Sequence, residues 1–240
     1  YFQNATDYYP TERGLHPISF DIARDDDEHI ADEEEHVAGY DEVQSLLINA
    51  SMAMGKSYTL SEFLRLHGHK YPRIAVFSAR IQQTYTSKGF LADFGFKTYR
   101  DSDLGDITKA DRIIIQYESL HRLNGCLPFD LIIIDEIRGV GGQVVSTTTN
   151  GGNLMMNFTW MKHHLRTSKS ILLDADLETD GLVHDLITGL GIRHHVLRYH
   201  RVELPRDITL TTNQTLWQTR LQEDLAEGHR VMCVFRSRGK

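Results

Sequence analysis

An apolar run, Leu46-Leu47-Ile48, is followed two residues later by Ala50-Ser51-Met52-Ala53-Met54-Gly55-Lys56-Ser57, and a helical pattern starts at Lys56. A buried strand that turns through a short loop straight into a helix restricts the chain to folds made of strand–loop–helix units. The loop faces the free N–H groups and the positive end of the following helix, so it suits an anionic phosphate. In this pattern Lys56 would reach the β- and γ-phosphates of a nucleoside triphosphate, and the Ser57 hydroxyl would hold Mg²⁺. Ala50, Met52, Ala53, Met54, Gly55 and Tyr58 complete the candidate cradle. The full pattern opens on glycine, where this chain has Ala50, and Ala53 occupies a position where a second glycine is common. Gly55 alone keeps ready access to positive φ. An ordinary strand-to-helix turn is the competing reading.

About 80 residues on, Phe129-Asp130-Leu131-Ile132-Ile133-Ile134-Asp135-Glu136 is an apolar run capped by two carboxylates. Bounded by Pro128 and Gly139, it reads as a buried strand of a parallel sheet. Acids at the carboxyl end of such a strand project into the crevice where α/β proteins bind ligands. Asp135 fits a carboxylate that holds Mg²⁺ through its water shell, and Glu136 one that polarises an attacking water. The plainer alternative is a solvated loop start. Both features in one chain, in this order, favour the nucleotide reading.

Apolar runs and helical patterns alternate from Val43 onward. Strands are predicted at 46–49, 73–78, 97–100, 112–116, 131–135, 170–174 and 194–199. Helices are predicted at 56–67, 81–94, 153–166 and 179–189. The alternation predicts an α/β fold, a mostly parallel sheet with helices on both faces. A strand at 207–212, a helix at 215–228 and a strand at 230–235 come last. The stretch 146–153, with Gly151-Gly152, reads as a flexible loop.

The net charge of −7 is concentrated. Residues 21–36 carry nine acids and one base, which leaves the rest of the chain at +1. Residues 1–40 read as a tag remnant, Tyr1-Phe2-Gln3, and an acidic arm or linker, with an autoinhibitory nucleic-acid mimic as the rival reading. Charge on the body neither supports nor excludes nucleic acid. No apolar run approaches 18 residues, so no membrane span is expected. Two cysteines, Cys126 and Cys233, suit neither a disulfide framework nor a metal site. An intracellular setting follows, with nucleus and cytoplasm equally open.

Three more segments end a strand and open the next element: Val76-Phe77-Ser78-Ala79-Arg80, Ile115-Gln116-Tyr117-Glu118-Ser119-Leu120, and Leu172-Leu173-Asp174-Ala175-Asp176. Arg80 and Ser119 suit contacts to a sugar–phosphate backbone, by charge or by hydroxyl and helix-start N–H groups. Their structural alternatives are a surface ion pair and a helix N-cap. Tyr117 reads as packing, and His121 and Arg122 as surface.

Together these segments resemble the first RecA-like domain of a superfamily 2 helicase, and more narrowly the herpesvirus-type replication origin-binding protein family. Ala50–Ser57 resembles motif I, Val76–Arg80 motif Ia, Gln116–Leu123 motif Ib and Ile134–Ile137 motif II. Leu173–Asp176 stands for motif III, and Gly142-Gln143-Val144-Val145-Ser146 trails motif II as in that family. Val231-Met232-Cys233-Val234-Phe235-Arg236-Ser237 resembles the first strand of a second RecA-like domain. The resemblance covers roughly 43–240 and implies a P-loop ATPase domain at 41–205 and the start of a second at 206–240. It implies ATP and Mg²⁺ as ligands and single-stranded or forked DNA as partner, with RNA open. It implies Lys56, Asp135 and Glu136 as catalytic, Arg80, Ser119 and Gln143 toward nucleic acid, and Asp174 and Asp176 in coupling. Motif II departs from D-E-A-H, reading D-E-I-R with Arg138, and motif III lacks its hydroxyl residue. The arginine finger is expected beyond Lys240. A nucleotide kinase or GTPase would need lid arginines or an N-K-x-D base reader, and neither is visible. The other alternative is a degenerate P-loop domain that acts as a nucleic-acid-binding or protein-interaction scaffold.

Overall fold

Apolar runs become strands of one sheet because both of their faces are buried. The computed structural model describes residues 5–8, 43–51, 54–101, 106–177, 181–200 and 212–228. Its strands are β1 (Ala5–Tyr8), β2 (Ser45–Ala50), β3 (Ile74–Ser78), β4 (Lys97–Thr98), β5 (Arg112–Gln116), β6 (Leu131–Asp135), β7 (Lys169–Asp174) and β8 (His194–Tyr199). They pair in the order β1-β8-β2-β7-β6-β3-β5-β4, every pairing parallel. Among the described residues the helices are α1 (Lys56–His67), α2 (Ile81–Leu91), α3 (Ile137–Val144), α4 (Thr147–Asn150), α5 (Leu154–Thr167), α6 (Gly181–Gly189) and α7 (Gln214–Ala226).

The register sets Val196, Leu47, Leu172, Ile134, Phe77 and Ile115 in one row across the sheet. That face packs on Ile137 and Val140 of α3, Met161 and Leu165 of α5, and Val183 and Ile187 of α6. One residue along, Ile48, Leu173, Ile133, Val76 and Ile114 point the other way. They meet Leu60, Phe63 and Leu64 of α1 and Leu91 of α2. Strands covered on both sides need apolar residues at every position, which is why they read as unbroken runs rather than alternating ones.

β2 leads through α1 to β3, but β7 and β6 lie between those two strands. This reversal of direction opens a crevice at the carboxyl ends of β2, β7 and β6. Asp174 and Asp135 end β7 and β6, and Asn49 is the last residue but one of β2; Asn49 registers with Asp174, and Asp135 with Leu173. The parallel α/β fold predicted from the alternation is the one observed.

Several elements differ from the sequence expectation. Residues 5–8, expected in an arm, form an edge strand on β8. β4 holds two residues rather than four, because Asp101 turns back to accept from the Thr98 N–H and hydroxyl at 2.9 and 2.8 Å. α2 stops at Leu91, and a 3-10 turn, Ala92–Phe94, follows. The stretch expected as a flexible loop contains α4, whose first turn is capped by the Ser146 hydroxyl. α3 is absent from the elements expected from sequence; it holds Gly139, Gly141 and Gly142, residues of low helix propensity. In the fold a Cβ on Gly139 would stand 3.1 Å from Ala79 Cβ, and one on Gly141 2.9 Å from Leu182 Cδ2. The glycines therefore serve close packing of α3 on its neighbours.

Chain contacts separate residues 1–202 from 203–240. In the second unit the described element is α7, where Asn213 Oδ1 accepts from Leu216 N at 3.1 Å, matching the helix predicted at 215–228. The acidic block at 21–36, the strand residues 207–211 and 230–235, Cys233 and Tyr1-Phe2-Gln3 lie outside the described residues. No helix among the described residues is long and apolar enough to cross a membrane.

Candidate functional site

Gly55 takes φ 86°, a left-handed conformation that only glycine adopts freely, and α1 begins at the next residue. No side chain caps the start of α1. Its first-turn N–H groups are thus left to solvent or to an anion. Ala50 explains the missing first glycine: it is still the last residue of β2, paired with Tyr199, and its side chain is buried in the core. Lys56 Nζ donates to Ala50 O at 2.6 Å and to Ser51 O at 3.2 Å. Burial holds its ammonium below the usual range, against the pull of Asp135, then Asp174 and Glu136. Ser57 and Tyr58 are exposed, and Met54 is partly buried against the core. Met52 and Ala53 lie outside the described residues.

Burial also pushes the Asp135 carboxyl above its ordinary range; Glu136 adds to the push, while Gln83 and Lys56 oppose it. Glu136 is exposed and sits at φ 56°, ψ 57°, the one non-glycine at positive φ among the described residues. It forms the N-cap of α3. Asp174 is buried and sends Oδ2 to the N–H of Arg138 at 2.9 Å, so a residue of β7 caps α3 from outside. The Arg138 guanidinium lies 3.4 Å from Asp176. The uncommon arginine after D-E-I thus joins the acids of the 173–176 segment to the start of α3.

The nucleic-acid candidates lie at the carboxyl ends of β3 and β5. Arg80 is exposed at the N-cap of α2. Ser119 is not a helix cap: it sits half-buried inside a 3-10 segment, Tyr117–Leu123, whose N-cap is Gln116. Tyr117 is fully buried, as its reading as packing required, and burial pushes its phenol up to about 12. The Gln143 side chain is turned inward, with Nε2 donating to the Ala79 carbonyl.

Sequence reasoning missed the amides around Gln143. Gln83 accepts from Ala79 N at 3.0 Å and donates to Asp135 O at 3.1 Å. Asn150 Nδ2 donates to Gln143 O at 2.9 Å and Ser146 O at 2.7 Å. Asn157 donates to Asn150 Oδ1 at 2.8 Å and Glu118 O at 3.0 Å, and accepts from His121 N at 2.7 Å. The available signal was Asn157 itself, a polar residue one turn before Met161 in the buried stripe of α5.

Comparison with known proteins matches this architecture. The family described as origin of replication binding protein matches residues 36–196. A helicase/primase complex protein of African swine fever virus (isolate Pig/Kenya/KEN-50/1950) is 28% identical over 236 residues, covering 92% of this chain and 21% of the relative. The replication origin-binding protein of varicella-zoster virus (strain Dumas) is 32% identical over 150 residues, 60% of this chain and 17% of its own length. The chain thus spans about a fifth of the length of these relatives. Among solved structures, the helicase MrfA superposes with a TM-score of 0.51 at 16% identity, covering 81% of this chain and 34% of that one. That likeness is one of fold. The motif spacing, the parallel sheet and the family match over residues 36–196 agree, and this chain belongs to the origin of replication binding protein family.

Proposed function

We propose that this chain is the ATP-binding domain of an ATP-dependent helicase that works on DNA. One observation carries the reading: Lys56, on an uncapped helix start, faces the field of Asp135, Asp174 and Glu136 at the carboxyl ends of β2, β6 and β7. A lysine at an uncapped helix start, beside strands that end in acids, is the arrangement a triphosphate with its metal requires.

ATP would lie over Gly55–Ser57, with Lys56 exchanging its loop carbonyls for phosphate oxygens. Ser57 and Asp135 offer the hard oxygen donors that suit Mg²⁺, which keeps most of its other positions for water and phosphate. No group of three or more His, Cys, Asp or Glu suited to a metal occurs among the described residues, and such an ion does not need one. Mg²⁺, when bound, would neutralise charge developing on the phosphates. Glu136 would orient the attacking water and take its proton. Asp174 and Asp176, through Arg138, would couple the start of α3 to the state of the γ-phosphate. Arg80 and Ser119 would grip the backbone of single-stranded or forked DNA, giving binding that tolerates sequence and weakens with salt. Names of relatives that speak of origins and of a helicase/primase complex support DNA over RNA. A second RecA-like domain, whose start the resemblance puts at 206–240, would bring the remaining transition-state charge.

Calorimetric titration with Mg-ATP tests the nucleotide site. Lys56→Ala should weaken binding by at least about tenfold. In a longer protein that includes the second domain, single-stranded DNA should stimulate ATP turnover. Binding without any turnover there would shift the assignment to a nucleic-acid-binding scaffold.

A further inference from the structure

Ala79 directly precedes Arg80, and both of its backbone groups are held by glutamine side chains. Gln83 takes its N–H and Gln143 its carbonyl. From these two residues a continuous chain of amides runs through the domain. At one end Gln83 donates to the backbone carbonyl of Asp135. At the other, Gln143 leads through Asn150 to Asn157, which holds Glu118 O and His121 N on either side of Ser119. Asn150 is 2% exposed and Asn157 0%. Burying primary amides is unfavourable unless each polar atom is paired, and apolar side chains would pack the same space with less penalty. What the amides add is fixed distance: they set the spacing between the Arg80 loop, the Ser119 segment and the strand that carries the acids.

Two features make this path able to take a second arrangement. Glu136, at the head of the helix that carries Gln143, holds a strained left-handed conformation that a non-glycine residue keeps only while its surroundings hold it. Gln143 Oε1 is buried without a hydrogen-bond partner, a spare acceptor inside the chain. A change at Glu136 would thus reach α3, and the bonds of Gln143 would carry it to Ala79 on one side and to Asn150 on the other. Resting on the ATPase reading above, we propose that the Gln83–Gln143–Asn150–Asn157 amide chain positions the two DNA-facing segments according to the state of the nucleotide site, and so makes ATP turnover depend on DNA. Asn157 and Asn150 are positioning residues: both are buried, and their hydrogen bonds go to Gln143, Ser146, Glu118, His121 and each other.

The test uses the longer protein with both RecA-like domains. Three quantities are measured: turnover without DNA, turnover with a single-stranded oligonucleotide, and oligonucleotide affinity with and without a non-hydrolysable ATP analogue. Asn157→Leu keeps the approximate volume and removes the four side-chain hydrogen bonds of Asn157. Basal turnover should stay within about twofold, stimulation by DNA should fall about tenfold or more, and the effect of the analogue on affinity should shrink to a similar degree. Asn150→Ala, a smaller change in a one-turn helix, should do the same and serves if the first variant does not fold. Because the links act in series, the double variant should lose no more stimulation than either single one, whereas independent effects would multiply. A folded Asn157→Leu or Asn150→Ala with stimulation intact, or with basal and stimulated rates lowered equally, overturns the proposal and leaves the ATPase reading standing. An unaltered protein whose turnover ignores DNA removes that reading, and the proposal with it.

Discussion

Glu136 concentrates two demands on one residue. Its backbone must turn left-handed so that β6 can pass directly into α3, a conformation that costs a non-glycine residue on the order of 1 kcal/mol. Its carboxylate is the proposed partner of the attacking water. A glycine would meet the first demand better and the second not at all. Glu136→Gly should therefore keep or raise stability, by up to about 1 kcal/mol in urea unfolding, while turnover in the two-domain protein falls at least about a hundredfold. A variant that loses stability along with activity would show that the side chain, rather than the backbone, holds the turn. Lys56 is a milder case. Its ammonium rests on the carbonyls of Ala50 and Ser51, so phosphate binding exchanges one set of oxygens for another instead of stripping a fully solvated cation.

At the scale of elements, α3 shows why part of the site was legible in sequence and part was not. Strand-ending acids and the G-K-S loop are local signals: chemistry and period sit within eight residues. The strands Ser45–Ala50 and Leu131–Asp135 were legible that way, and so were α1 and α5 to within a residue or two. α3 was missed because its glycines have low helix propensity and their reason is tertiary, the close approach of Ala79 and Leu182. The cap that Asp174 gives α3 was missed for the same reason, since 36 residues separate donor from acceptor. The edge strand β1 was missed because four residues carry no readable period. These differences yield a paired prediction. Asp174→Ala removes a buried acceptor of two backbone N–H groups and should lower stability by about 1–2 kcal/mol. Asp176→Ala breaks only a partly exposed ion pair with Arg138 and should change it by less than about 0.5 kcal/mol. Denaturant midpoints at constant slope distinguish the two.

At the scale of the whole molecule, the described sheet ends in short strands on both sides. β4 offers two residues, and β1 covers β8 with four. Short edges limit pairing between molecules. Beyond the ladder, β1 is tied to β8 by Thr6 to His195 at 2.8 Å and by Asp7 to His200 at 2.7 Å. Removal of residues 1–8 would bare Val196–Tyr199 of β8 and should produce concentration-dependent self-association in sedimentation, absent from the unaltered chain. The pairing of β1 also has a temporal side. Ala5 meets Val196, so β1 has no partner in this sheet until nearly two hundred further residues have been made. Contacts of such wide sequence separation form late, because loop closure must precede them. During synthesis Ala5–Tyr8 is thus a waiting strand, and the sheet gains this edge only after β8 has been made.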